Sequence, residues 1–209
     1  MKRVLILDLD NTIYPVQSIS DHLFGKLFNL IDKELGEADR IAAESAKHEL
    51  TRRPYQHVAD EFGFSEELKE RGMDMLRNCT FDEPMHSYLQ YNDLKQIPID
   101  KYLVTTGFTK LQMSKVAMLN IGGDFKQVYV VDPDQSDLTK KDIFQKIMQE
   151  NGYTIQDVLV IGDDPQSEIK AAIELGIDTF LFDPESKYTN EGVTHHAKDY
   201  RDVAEIVLK

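Results

Sequence analysis

Short apolar runs recur along the chain at Val4–Leu7, Tyr102–Thr105, Val128–Val131, Val158–Ile161 and Thr179–Phe182. They do not alternate with polar residues, which is the pattern of strands covered on both faces in a parallel sheet. Helical patterns separate most of them. Thr139-Lys-Lys-Asp142 makes a capping-box start, and Ile143, Phe144, Ile147 and Met148 follow as one apolar stripe. A helix over Phe108–Leu119 stops at Asn120-Ile-Gly-Gly, and one over Gln166–Leu175 stops at Gly176. Alternation of this kind predicts an α/β fold, a Rossmann-like doubly wound parallel sheet.

The stretch from Pro15 to Glu83 breaks the rhythm and carries helix signals only. Ser18-Ile-Ser-Asp21 precedes an apolar face of Leu23, Phe24, Leu27, Phe28 and Ile31, read as packing between helices. An Ala-rich segment covers Ala38–Leu50, Pro54 serves as a first helical residue with Gly63 as the stop, and Ser65 precedes Glu66-Glu67-Leu68. These signals predict four helices inserted after the first strand. The expected organisation is therefore a core of residues 1–14 and 84–209 with a helical cap over 15–83.

The chemistry-bearing residues fall at strand ends. Asp8 and Asp10 follow the first strand; Thr105, Thr106 and Gly107 follow the second and open a helix. Lys140 begins the helix after Val128–Val131. Asp163 and Asp164 follow Val158–Ile161, with Glu168 one helical turn on. Carboxyl ends of parallel strands share one edge of the sheet, so these side chains should converge there. Two carboxylates about 4 Å apart repel by about 4 kcal/mol at an effective dielectric near 20, which a divalent cation would relieve. Oxygen-only ligands favour a hard ion, Mg²⁺, and no His or Cys near these strand ends argues for zinc. A helix N-terminus with Thr and Gly donors, joined by a lysine, suits a phosphate group. An aspartate ionised at neutral pH can attack phosphorus without an activating base.

Charge narrows the partners. The chain has 209 residues, 24 Lys and Arg against 37 Asp and Glu, and a formal charge of −13. That balance disfavours nucleic-acid polymers and anionic membranes. The inserted stretch holds nine basic against fifteen acidic residues, so it offers no basic patch for a polyanion. The first apolar run is too short for a signal peptide or membrane span. The single Cys79 cannot form an internal disulfide, and a cytoplasmic location is expected.

Taken in order, these motifs resemble those of haloacid-dehalogenase (HAD) superfamily phosphatases carrying a helical cap of the first type, and the resemblance spans the whole chain. It implies that Asp8 is the nucleophile forming an aspartyl-phosphate and Asp10 the general acid and then base. Thr105, Thr106, Gly107 and Lys140 would bind the phosphoryl group. Asp8, Asp163 and the backbone carbonyl of Asp10 would hold Mg²⁺, with Glu168 and Asp164 supporting from behind. Two departures stand out: Thr106 where the family more often has Asn, and Glu168 where it has a second Asp. Lys141 competes with Lys140 for the lysine role, though Lys140, four residues before Phe144, has the family spacing. Asp8-Leu-Asp-Asn-Thr-Ile-Tyr-Pro15 is similar to the pyrimidine nucleotidase branch.

The implied activity is a Mg²⁺-dependent phosphomonoester hydrolase for a small phosphorylated metabolite. Nucleoside monophosphates, phosphoglycolate and sugar phosphates all remain open, as does a monomer or homodimer. Two alternatives stand beside it. A dehalogenase would use the same nucleophile on carbon, but it needs no metal and, by the resemblance, lacks the second aspartate. A phospho-accepting signalling module also combines acids, Thr and Lys on a parallel sheet, but carries no helical lid. Arg52, Arg53 and Tyr55 are expected to be a solvated helix start, His195 and His196 a loop pair, and Tyr14 a turn residue near the leaving group.

Overall fold

The computed structural model describes residues 1–36, 39–189 and 192–209. Six strands form one sheet: β1 (Val4–Leu7), β2 (Asp100–Thr106), β3 (Gln127–Val131), β4 (Val158–Gly162), β5 (Asp178–Phe182) and β6 (His195–Ala197). Their order is β3-β2-β1-β4-β5-β6, and every pairing is parallel. β1 is central, with Leu7 opposite Leu103 of β2 on one side and Ile161 of β4 on the other. Chain connections leave this strand in opposite directions, so the crevice at its carboxyl end is where an open sheet of this order places a ligand.

Alternate residues of each strand serve two apolar layers. Val4, Ile6, Val104, Val158 and Val160 pack with Ile143, Phe144 and Ile147 of α7 (Lys140–Asn151) and with Ala172 of α8 (Glu168–Glu174). Leu5, Leu7, Leu103, Leu159 and Ile161 face the other way. They join α5 (Tyr91–Lys95), α6 (Thr109–Leu119) and α9 (Val203–Leu208). The Thr139 capping box forms as expected, with Asp142 accepting from the Thr139 N–H at 2.8 Å. Asn120 takes the left-handed conformation that ends α6.

Between β1 and β2 lie α1 (Ser20–Glu34), α2 (Arg40–Leu50), α3 (Tyr55–Glu61) and α4 (Glu66–Arg77). Ala38, the expected head of the second, lies outside the described residues. Phe24, Leu27, Ile31, Ala43, Val58 and Leu68 bury themselves among these helices, and Ser65 caps α4 by accepting from the Leu68 N–H at 3.1 Å. Their apolar interior runs without a break into the α6 face of the sheet.

Three expectations need correction. Pro54 stands just outside α3 as its N-cap, because its ψ of 140° is extended. His195 and His196 belong to edge strand β6, where Asp183 Oδ2 accepts from His196 Nε2 at 3.0 Å. Tyr55 is buried and its hydroxyl donates to the Leu68 carbonyl at 2.6 Å, so it holds α3 to α4 instead of meeting solvent.

The same tyrosine fixes one glycine. A Cβ on Gly72 of α4 would collide with the Tyr55 ring and hydroxyl. Gly72→Ala is therefore expected to destabilise the helical insertion by about 1–3 kcal/mol despite alanine's better helix propensity, read as a lowered thermal midpoint.

Candidate active site

The loop after β1 is built by local chemistry. Asp8 continues the ladder by donating its N–H to the Ile161 carbonyl at 3.0 Å. Asn11 then turns left-handed, with φ of 54°, a conformation asparagine tolerates better than most residues. Its side chain accepts from the Val16 N–H at 3.1 Å and donates to the Thr51 carbonyl at the end of α2 at 3.2 Å. From the other side the buried Tyr200 hydroxyl donates to the Thr12 carbonyl at 2.7 Å. The turn is thus clamped between the sheet and the inserted helices.

At the carboxyl ends of β1 and β4 three acids meet. Asp8, Asp163 and Glu168 bring one carboxylate oxygen each within 4.8 Å of one another. Lys140, buried at the start of α7, donates to Asp8 Oδ1 at 2.6 Å and to Glu168 Oε2 at 2.7 Å. The other Glu168 oxygen accepts the Asp164 N–H at 2.9 Å, and Asp163 accepts from the Thr12 hydroxyl at 3.2 Å. Lys141 instead pairs with Glu174 on the surface, so geometry separates the two lysines. Gly162 is glycine for a steric reason: a Cβ there would overlap the Glu168 side chain.

The electrostatics show what this arrangement lacks. Burial, with Glu168 and Asp10 nearby, pushes the Asp8 carboxyl up to about 7 despite the Lys140 ammonium. Burial and the charges of Glu168, Asp8 and Asp164 hold Asp163 well above the usual carboxylate range. Lys140 rises above its ordinary value: burial opposes this, but Asp8 and Glu168 outweigh it. One ammonium is too little for this acid cluster. The donor set is hard oxygen only, and a divalent cation beside Asp8 and Asp163 fits it.

Asp10 points elsewhere. Its Oδ1 accepts from Lys115 at 2.8 Å and from the Tyr14 hydroxyl, and its Oδ2 accepts from the Gln112 amide at 2.9 Å. Burial alone would raise its pKa, yet Lys115, Gln112 and Tyr14 bring it below the ordinary value. The Gln112 amide also donates to Thr105 Oγ1 at 2.7 Å and to the Thr106 carbonyl at 2.9 Å. Gly107, with φ of 143°, lets that amide lie against it: a Cβ would stand 3.3 Å from Gln112. Tyr14 closes the turn as expected, is wholly buried, and its hydroxyl also grips Asp10. Arg52, expected to be solvated, donates to the Tyr188 hydroxyl in the β5–β6 connection at 3.0 Å. Arg53 pairs with Glu49 and Glu61.

The strand-end acids, the lysine and the threonine thus come together as their order along the chain suggested. The haloacid dehalogenase-like hydrolase family matches residues 2–176. The chain belongs to that family. A pyrimidine 5'-nucleotidase, PynA of Streptococcus pneumoniae, is 26% identical over 113 residues, covering 53% of this chain and 48% of that protein. The matched stretch spans about half the length of that nucleotidase. A haloacid dehalogenase-like family hydrolase, SP0104 of Streptococcus pneumoniae, shares the fold with a TM-score of 0.72 at 17% identity, over 98% of both chains. The L-2-haloacid dehalogenase of Xanthobacter autotrophicus shares it with a TM-score of 0.61 at 13% identity, over 100% of this chain and 99% of its own.

The HAD site carries its own stability signature. Asp8 and Asp163 bind protons more tightly folded than unfolded, so the folded state holds more protons from about pH 4 upward. Stability of the metal-free protein must fall as pH rises through about 7. In chelator the thermal midpoint is expected to be lower at about pH 8 than at about pH 5, with millimolar Mg²⁺ narrowing the gap.

Proposed function

We infer that this HAD protein is a Mg²⁺-dependent phosphomonoester hydrolase working through an aspartyl-phosphate. The observation that carries the reading is Asp10, kept beside the nucleophile by three donors while Asp8, Asp163 and Glu168 cluster next to it. Carbon–halogen hydrolysis needs neither that second aspartate nor a metal cluster.

Asp8 attacks phosphorus with a carboxylate oxygen as the ester P–O bond breaks, and the leaving oxygen takes a proton from Asp10. Asp10 then removes a proton from water, which displaces Asp8 and releases phosphate. The ionised Asp10 described here is the form that deprotonates water. A phosphate dianion arriving beside it raises its proton affinity for the first half of the cycle. Thr105 offers its hydroxyl hydrogen to a phosphoryl oxygen, because its lone pair already accepts from Gln112. Thr106 and Gly107 lie at the mouth of α6, and Lys140 balances charge on Asp8 and the phosphoryl group. Asp8, Asp163 and the Asp10 carbonyl would hold Mg²⁺, which would supply charge neutralisation to the transferring group. Glu168 and Asp164 brace Lys140 and the turn.

In this reading residues 15–83 act as a lid that excludes water and selects the substrate, a small phosphorylated metabolite. The likeness to PynA supports a nucleoside monophosphate as the first to try. Neither a nucleic-acid polymer nor a membrane is a partner, and the working place is the cytoplasm. Among the described residues no helix is long and apolar enough to cross a membrane.

Hydrolysis of p-nitrophenyl phosphate should require Mg²⁺ and stop on chelation, and a metabolite panel should rank the natural substrates. Asp8→Asn, close to isosteric, should abolish turnover while the far-UV spectrum stays unchanged. Turnover by that variant, or activity on a 2-haloacid alone, would overturn the reading.

A further inference from the structure

We propose that Lys115 and Gln112 of α6 form a positioning bracket for Asp10, and that turnover depends on Lys115 only through that aspartate. This rests on the phosphohydrolase reading above.

Gln112 and Lys115 stand three positions apart, so they share one face of the helix. That face is turned inward: their relative exposures are 2% and 4%. A buried lysine is costly without a partner, and among the described residues Asp10 is the one acid within ion-pair distance. Lys115 also lies 5.8 Å from the Tyr14 ring centre, so the tyrosine that grips Asp10 packs against the same ammonium.

The Gln112 amide can face only one way. Asp10 Oδ2 and the Thr106 carbonyl are pure acceptors, so its NH₂ must point towards them. Its Oε1 is then left buried with no hydrogen-bond partner, a cost tolerated on the far side of the amide. Lys115 and Gln112 therefore take one carboxylate oxygen each and fix both the position and the plane of Asp10. The two amide hydrogens of Gln112 are shared among three acceptors, Thr105 Oγ1 at 2.7 Å among them, and that shared contact ties the acid–base group to the phosphate-binding hydroxyl. Neither side chain touches Asp8, Asp163 or Glu168 in any hydrogen bond or ion pair among the described residues.

The test is a double-mutant cycle on p-nitrophenyl phosphate with saturating Mg²⁺. Lys115→Met should lower kcat about 10- to 100-fold, the penalty of misplacing an acid–base group, with KM within about threefold of wild type. Added to Asp10→Asn, the same substitution should cost less than about threefold more, because the group it positions is already disabled. Gln112→Leu should lower kcat and raise KM together, since it loosens Thr105 as well. Lys115→Gln, a neutral donor of similar reach, serves if methionine leaves Asp10 buried without its cation and the chain unfolds. Equal penalties in both backgrounds, an unchanged kcat, or a change confined to KM would overturn the bracket alone. A wild-type protein inactive on every phosphate ester would overturn the hydrolase reading, and the bracket with it.

Discussion

A single ammonium at the start of α7 holds the acid cluster together. Lys140 reaches Asp8 from one side and Glu168 from the other, joining the end of β1 to the starts of α7 and α8 through one buried cation. Remove that charge and the acids have every reason to separate, since burial penalises each and their charges repel. Much of the surrounding construction serves this contact. Gly162 clears space for Glu168, Thr139 starts α7 at the residue before the lysine, and the Asp164 N–H fixes the far oxygen of Glu168. The arrangement is under-neutralised, and a dication beside it would relieve the repulsion.

A second polar centre, around Asp10, obeys the opposite electrostatics. Asp8 and Asp163 are pushed towards their protonated forms, whereas three donors hold Asp10 in its ionised form. Two carboxylates two residues apart would share a face in a continuing strand, yet here they live in different environments, because the strand ends at Leu7 and the chain turns at Asn11. One looks towards β4 and α7, the other towards α6.

Much of this was legible beforehand, for identifiable reasons. Val4–Leu7 reads as a strand because all four residues are apolar, and they are buried on both faces. The start of α7 was readable because a capping box is local chemistry. Lys115 and Gln112 were not, because a lysine and a glutamine on a helix look like solvent-facing residues until their partner, about a hundred positions earlier, is known to lie underneath. β6 was missed because His-His-Ala is polar, only half-buried and three residues long. The five-residue α5 likewise carries no full period of apolar residues. Arg52 was misread because its partner Tyr188 comes from a distant loop, shaped by Asp183 accepting the N–H groups of Lys187 and Tyr188.

Asn11 sits next to Asp10 in the chain yet spends one side-chain bond on the carbonyl of Thr51, at the tip of the inserted helices. A tilt of those helices would therefore tug on the peptide beside Asp10 without any intermediary. Under the phosphohydrolase reading, substrate fit beneath those helices has a direct mechanical route down to Asp10, and proteins sharing this core could diversify the upper helices while keeping that tether.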